Sequence, residues 1–563
     1  MCLWIVWGWI GGIALQRAPL EAADHRPPNV ILIMTDDQGY GDLGIHGNPH
    51  IRTPNLDRLA SEGVRLEQFH VSPVCTPTRA SLMTGRYNYR TRAIDTYLGR
   101  AMMDTEEVTI AEVLSVQGYR TGIFGKWHLG DNYPLRAMDQ GFQESLVHGG
   151  GGLTQPGDFP GNRYQDPTLV HNGHPEKTNG YCSDVYTTAA MNFIQQNIEQ
   201  PFFVYLAYNA PHTPLEVPEE WVKPYRDQGL DETTAKIYAM VANIDENFGR
   251  LNDHLRQLNL TDRTLVIFLT DNGPQQERYT AGMRGKKGTV YEGGTRVPCF
   301  IRLPGVLQSG KTTTVPAAHI DLLPTILDAC RVPLPTILKI DGVSLWPHLT
   351  AETSIPERSF FFQWHRGDAA LPNQACAMRR GRYKLVQSQF KPDITDPDQL
   401  PWELFDLETD PHESRNLTHE QPERLQEMRE AYRQWFEDVS STRGYDPPRI
   451  ILGHDRETES VLTRQDWRGP QAGWGKDGLG HWLVKIEPGH KFDVRFQFAK
   501  SPEPLTATLS VGDATFITEV PPNAEEARFK NLELPAGEQR LQGTLTRPGN
   551  QPIGPNYVYV TRN

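Results

Sequence analysis

The sequence predicts an α/β fold: a sheet covered by helices, then a smaller α+β unit, then an antiparallel β-sandwich. Three observations predict it. From about Pro28 to about Trp346, apolar strand-like runs alternate with helical patterns. From about Ser359 to about Gly444, strand-like Tyr383-Lys384-Leu385-Val386 accompanies a charged helical stretch running from about Gln421 to Phe436. Beyond about Asp446 the texture changes. His481-Trp482-Leu483-Val484-Lys485-Ile486, Phe492-Asp493-Val494-Arg495-Phe496-Gln497-Phe498 and Leu505-Thr506-Ala507-Thr508-Leu509 alternate with period two, separated by Gly, Pro and Asn turns.

The first strand is Asn29-Val30-Ile31-Leu32-Ile33-Met34-Thr35, continuously apolar as a strand buried on both faces should be. Asp36 and Asp37 follow it at once. Thr121-Gly122-Ile123-Phe124 leads to Gly125-Lys126-Trp127-His128. Pro201-Phe202-Phe203-Val204-Tyr205-Leu206-Ala207-Tyr208 ends in Asn209-Ala210-Pro211-His212. Thr264-Leu265-Val266-Ile267-Phe268-Leu269-Thr270 is followed by Asp271 and Asn272. All these strands finish in polar residues, and open α/β sheets bind ligands at their strands' carboxyl ends.

The N-terminal run from Met1 to Leu15 is apolar but too short to span a bilayer as a mature helix, so residues 1–24 read as a secretory leader. A basic n-region is missing, and Ala22-Ala23 offers the small-residue cleavage site. The expected location is secreted or periplasmic. No later segment looks transmembrane. The division expected is a catalytic domain over 25–346, an α+β subdomain over 347–445 and an accessory β-sandwich over 446–563.

Formal net charge is −13, which argues against a nucleic-acid partner, because phosphate binding needs a basic face. An anionic substrate would need a local cationic pocket on this negative body. Six cysteines are present. Cys2 would leave with the leader. Cys182, Cys299, Cys330 and Cys376 show no zinc-type spacing and read as buried thiols, with a disulfide among them possible in an oxidising compartment.

The sharpest motif is Cys75-Thr76-Pro77-Thr78-Arg79, followed by Ala80-Ser81-Leu82-Met83-Thr84-Gly85-Arg86. It sets a cysteine before a rigid proline, with an arginine one helical turn on. Arg79 there can lower a thiol pKa or hold an anion. These residues alone leave open an ordinary thiol enzyme or a modified residue. Asp36, Asp37, Asp271 and Asn272 are hard oxygen donors suited to calcium or magnesium, although such pairs after strands also serve as turn formers and helix caps. His148 and the run Gly149-Gly150-Gly151-Gly152 read as a mobile loop beside the pocket or a flexible connection. Trp467, Trp474 and Trp482 could stack on sugars, but they read first as core or interface residues.

Cys75-Thr76-Pro77-Thr78-Arg79 resembles the C-x-P-x-R signature of type I sulfatases, with Thr84-Gly85-Arg86 downstream. The second signature of that family is similar to Gly118-Tyr119-Arg120-Thr121-Gly122-Ile123-Phe124-Gly125-Lys126-Trp127-His128-Leu129-Gly130. The likeness continues through Thr270-Asp271-Asn272-Gly273 and Lys287-Gly288-Thr289-Val290-Tyr291-Glu292-Gly293-Gly294. It reaches Glu403-Leu404-Phe405-Asp406-Leu407 with Asp410-Pro411 and Glu413, so it runs from about Asn29 to about Leu417.

The resemblance implies an alkaline-phosphatase-like mixed sheet sandwiched by helices. It implies that Cys75 is oxidised to formylglycine (3-oxoalanine) by a formylglycine-generating enzyme. One hydroxyl of the aldehyde hydrate then attacks sulfur. The alcohol leaves, and the second hydroxyl reforms the aldehyde and expels sulfate. It also implies a calcium ion held by Asp36, Asp37, Asp271, Asn272 and the residue at Cys75. Arg79 would fix the formylglycine environment, and Lys126 and Lys287 would hold sulfate oxygens. His128 would assist removal of the hemiacetal proton. His212 would bind sulfate or protonate the leaving oxygen, with Lys287 a rival for that role. Of the adjacent pair Lys286-Lys287, the lysine directly before Gly288-Thr289 is taken as the inward one. The substrate implied is a sulfated carbohydrate, with aryl sulfates as surrogates. Two alternatives stay open: a formylglycine-dependent phosphonate or phosphodiester hydrolase, and a non-catalytic glycan-binding protein in which Cys75 stays a thiol.

Overall fold

The structure is a computed structural model that describes residues 26–394, 396 and 399–563. The expected leader, with Cys2, lies outside the described residues. At the centre is a ten-stranded sheet. Its middle is four parallel strands: β1 (Asn29–Thr35), β2 (Arg120–Lys126), β3 (Phe202–Ala207) and β4 (Thr264–Thr270), in the spatial order β4-β1-β3-β2. Every residue of β1, β3 and β4 is buried. Val30, Leu32 and Met34 of β1 face one apolar layer, and Ile31 and Ile33 face the other. Each such side chain contributes roughly 1.5–3 kcal/mol by leaving water, which is why these runs carry no polar alternation.

The sheet is mixed. Glu144–His148 extends the parallel block beside β2. Cys299–Arg302 runs antiparallel to β4, and Thr168–His171 and His174–Lys177 close the other edge antiparallel. The reading of βα alternation as a parallel sheet therefore holds for the centre. The mixed character implied by the family resemblance describes the whole.

The register of β1 on β4 pairs Thr35 with Thr270. The next residues along both strands are Asp36 and Asp271, so the in-register pairing brings the two carboxylates together. Asp271 N donates to Thr35 O at 3.2 Å, and Asp36 N donates to Ala210 O beyond β3 at 3.1 Å.

A second, four-stranded antiparallel sheet comprises Ser359–Gln363, Cys376–Arg380, Tyr383–Gln387 and Glu403–Asp406. Helix Pro422–Ser440 covers it with Met428, Tyr432, Phe436 and Val439, spaced to lie on one face. Lys384 joins this sheet to the main body. Its buried ammonium lies 2.8 Å from Glu292 and 2.9 Å from Glu413.

The remainder packs two sheets face to face, one of six strands and one of four. The period-two pattern is explicit in Leu505–Val511, where buried and half-buried residues alternate. Trp467 and Trp482 lie fully inside this sandwich with ring centroids 5.8 Å apart, and Trp474 packs edge-on to Tyr97. All three act as core or interface residues. The sandwich is seated directly on the segment that follows β2. Asn132 exchanges two 3.1 Å hydrogen bonds with the Val461 main chain, and Ile451 N donates to Tyr133 O at 3.1 Å. Cys182, Cys299, Cys330 and Cys376 are buried free thiols. Among the described residues no helix is long and apolar enough to cross a membrane.

Candidate active site

Cys75 is the first residue of helix α1 (Cys75–Thr84), all of whose residues are buried. Pro77 sits within the first turn, where its missing N–H removes no helical hydrogen bond. Gly85 ends the helix at φ 67°, its N–H reaching Ser81 O at 2.9 Å. That left-handed terminus favours glycine and accounts for the position of Gly85 in the motif. The N-terminal residue Val74 offers no side-chain cap, so amide groups and the positive end of the helix dipole face the site.

The α1 N-terminus meets the tips of β1 and β4. Ligand atoms of Asp36, Cys75 and Asp271 lie within 4.8 Å of one another, as do those of Asp36, Asp37 and His212. One turn along α1, fully buried Arg79 donates to Asp271 Oδ2 through Nε at 3.1 Å and Nη2 at 2.7 Å. Its Nη1 reaches Lys126 O at 3.1 Å and Tyr205 Oη at 3.3 Å. Lys126, the last residue of β2, directs Nζ onto Asp36 Oδ2 at 2.7 Å. Lys287 comes from the loop after β4, and its Nζ lies 2.5 Å from Asp37 Oδ1. Its neighbour Lys286 turns outward to exposed Glu277, so Lys287 is the inward lysine. Asn272 Nδ2 donates to Asp37 Oδ1 at 2.8 Å.

The structure brings the sequence-predicted residues Asp36, Asp37, Cys75, Arg79, Lys126, His128, His212, Asp271, Asn272 and Lys287 to one end of the sheet, and every one is buried except Lys287, which is 16% exposed at its side chain. Asp37 and His128 hold left-handed backbones, with φ 63° and 58°. Such conformations cost free energy in non-glycine residues and cluster at functional sites.

Electrostatics follow from this packing. Burial works to raise the Asp37 carboxyl, but Lys287 and then His212 outweigh it and hold it well below the usual range. Burial, then Asp36, lift Asp271 to about 6 against the pull of Arg79 and Lys126. Burial pushes the Cys75 thiol up, with Lys126 and Lys287 opposing. That is the wrong direction for an ordinary thiolate nucleophile. Burial drives His212 down to about 3 and, helped by Lys126, holds His128 well below its ordinary value, so both rings are neutral near neutral pH.

A hard cation fits this donor set. Asp36 Oδ1, Asp37 Oδ2 and Asn272 Oδ1 are buried without hydrogen-bond partners. Buried oxygens left this way are costly unless something else pairs them. The carboxylates of Asp36, Asp37 and Asp271 are matched in number by Arg79, Lys126 and Lys287.

Residues 149–152 lie beside the pocket and pack closely there. Gly150 N donates to Asp131 Oδ2 at 2.8 Å. A Cβ on Gly151 would come within 2.7 Å of the His128 ring, and one on Gly152 within 3.2 Å of the His212 ring. The glycines admit close approach to both imidazoles. Sequence reasoning missed Tyr205, which stands inside a buried apolar run and looks like core. It also missed Thr96 and Gln465, whose contacts with His128 span long chain separations.

The family model described as Sulfatase matches residues 28–332, and that described as N-sulphoglucosamine sulphohydrolase, C-terminal, matches residues 285–440. Human (Homo sapiens) arylsulfatase A is 34% identical over 443 residues, covering 70% of this chain and 83% of that protein. N-acetylgalactosamine-6-sulfatase of Canis lupus familiaris is 30% identical over 411 residues, covering 67% of this chain and 75% of that protein. The solved structure of Ps i-CgsB in complex with k-i-k-neocarrahexaose superimposes with a TM-score of 0.67 at 28% identity, covering 75% of this chain and 95% of that one.

Proposed function

This chain belongs to the type I sulfatases and is a sulfuric ester hydrolase, and from that premise we propose that it works through formylglycine at position 75 and a calcium ion, on a sulfated carbohydrate. The observation that carries the reading is the meeting of the Cys75 sulfur with the Asp36 and Asp271 carboxylates, beside orphaned oxygens and at a helix N-terminus.

Asp36, Asp37, Asp271, Asn272 and residue 75 are the proposed holders of calcium. Held there, the ion would supply a positive field that eases loss of a hydroxyl proton and offsets charge on a sulfate oxygen. Oxidised and hydrated, residue 75 would supply one hydroxyl as nucleophile toward sulfur, with the alcohol as leaving group, and a second hydroxyl whose proton loss would release sulfate. The chain's own residues do the rest. Lys126 and Lys287, already held by Asp36 and Asp37, turn their remaining N–H groups to sulfate oxygens and stabilise charge that grows in the transition state. Arg79 is held away from substrate by its two bonds to Asp271 and fixes that carboxylate. His212 Nδ1 donates to Thr213 O at 2.6 Å, which leaves Nε2 bare and facing the site, 3.8 Å from Asp37; it would bind sulfate or serve the leaving oxygen only after taking up a proton. His128 keeps Nδ1 unpartnered and accepts the proton of the second hydroxyl.

The proposed division is a catalytic domain over 25–346, a subdomain over 347–445 and an accessory sandwich over 446–563. The likeness to N-acetylgalactosamine-6-sulfatase, and to Ps i-CgsB solved with k-i-k-neocarrahexaose, supports a carbohydrate substrate. Maturation requires an enzyme of the formylglycine-generating class.

The test is turnover of nitrophenyl sulfate beside a nitrophenyl phosphonate ester, before and after chelation. Sulfate is expected to be the preferred ester. Verified removal of metal is expected to lower sulfate turnover at least ~100-fold, the rate equivalent of the several kcal/mol a metal contributes to charge stabilisation, with calcium restoring it. Indifference to metal removal would defeat the calcium assignment, and preference for the phosphonate would favour the superfamily alternative.

A further inference from the structure

His128 Nε2 lies 2.8 Å from the main-chain carbonyl of Thr96. A carbonyl oxygen only accepts, so Nε2 carries the ring proton and Nδ1 is bare. Nδ1 is buried and without a partner. The tautomer is thus set by one acceptor, Thr96 O, and that acceptor is shared. The side-chain amide of Gln465 donates to it through Nε2 at 2.9 Å, across 369 positions of sequence.

Gln465 belongs to the β-sandwich and is 1% exposed. Its Nε2 stands 3.4 Å from His128 Nε2, too far and of the wrong polarity for a bond between two N–H groups. Flipping the amide would set its oxygen against Thr96 O, so the amide nitrogen is the group that faces the carbonyl. The Gln465 main chain is stitched to the same loop, its carbonyl accepting from Gly99 N at 2.9 Å. A Cβ on Gly157 would lie 3.2 Å from Gln465 Cβ, so the loop after residues 149–152 leaves room for it.

We propose that Gln465 is a positioning residue for His128: by anchoring the Thr96 carbonyl it commits the ring to the Nε2–H tautomer and keeps Nδ1 as proton acceptor. The appended sandwich is thereby part of the active centre and not only a neighbour. This rests on the proton-accepting role proposed for His128. Removing the amide lets the carbonyl turn and the ring populate its other tautomer, in which Nδ1 carries hydrogen and cannot accept.

The experiment uses the full-length, matured enzyme with nitrophenyl sulfate. Gln465→Met keeps volume and loses the donor. Gln465→Glu keeps shape and sets a carboxylate against Thr96 O. Gln465→Met is expected to lower kcat about tenfold, a fraction of what a positioned base contributes, with KM within about twofold and an unchanged melting temperature. Gln465→Glu is expected to lower kcat further at pH values where its carboxyl is ionised, with KM again unchanged, and to recover toward the parent at lower pH, where the protonated carboxyl donates to Thr96 O. If both variants keep kcat within twofold of the parent, the inference is overturned. It is also overturned if kcat falls only in step with melting temperature, which marks a structural role. If the parent itself fails to hydrolyse the sulfate ester, it is the functional reading that falls, and the two failures are distinguished by that control.

Discussion

Replacing Cys75 by alanine is expected to abolish sulfate-ester hydrolysis, with a loss in kcat of at least about 10⁴-fold, the scale seen when a covalent nucleophile is removed. The expectation follows from what remains. Lys126, Lys287 and the helix N-terminus, the proposed sulfate holders, stay in place, but alanine carries no group that can be oxidised or hydrated. KM or inhibition by inorganic sulfate is therefore expected to change far less than kcat. The fold is expected to survive. The site is the first residue of α1, alanine is a good helix former, and loss of one buried sulfur costs about 1 kcal/mol. Steady-state kinetics beside thermal melting check this. Substantial retained turnover in a verified variant would contradict a covalent mechanism at position 75.

The second large effect is expected at Asp271. One of its oxygens, Oδ2, accepts two bonds from Arg79, and both side chains are fully buried. Asp271→Ala leaves the guanidinium charged and unpaired in the interior, and breaking a buried pair from one side costs roughly 3–5 kcal/mol. Asp271→Asn is expected to cost less, because an amide oxygen still accepts from Arg79. Both variants remove a carboxylate from the proposed calcium site. The parent is expected to gain thermal stability when calcium is added, since a ligand binding only the folded state stabilises it. Both variants are expected to lose most of that gain, and turnover with it. Denaturant midpoints with and without calcium check the pair of claims. Asp271→Ala that unfolds with the parent, and still responds to calcium, would contradict both.

Much of this site was legible because burial leaves a mark in sequence. β1 and β4 are apolar without interruption, since both faces are covered, and their ends are marked by the abrupt change to Asp36-Asp37 and Asp271-Asn272. The sandwich strands announce themselves by period two, because one face of each is wet. What makes the carboxylates meet is the Thr35–Thr270 register, which lies in pairing and not in either strand alone. The outer strands were hidden in short pieces such as Val64–Leu66, antiparallel to Cys299–Arg302 and too short to show a period.

Residues 149–152 left two readings open because glycine serves two opposite purposes. It loosens a free chain, and it lets a fixed chain approach closely, and only the neighbouring imidazoles of His128 and His212 decide between them. Gln465 had no local signal at all. Its meaning comes from the Thr96 carbonyl that it shares with His128, a contact made only when the sandwich is docked. Tyr205 gave the appearance of core until its hydroxyl was found against Arg79.

The most direct test is the mass of the peptide spanning Cys75, from protein purified out of its native host. The account predicts a peptide lighter by one sulfur and two hydrogens and heavier by one oxygen, reactive toward a hydrazide. A native, catalytically active preparation whose residue 75 is wholly the unmodified thiol would contradict it.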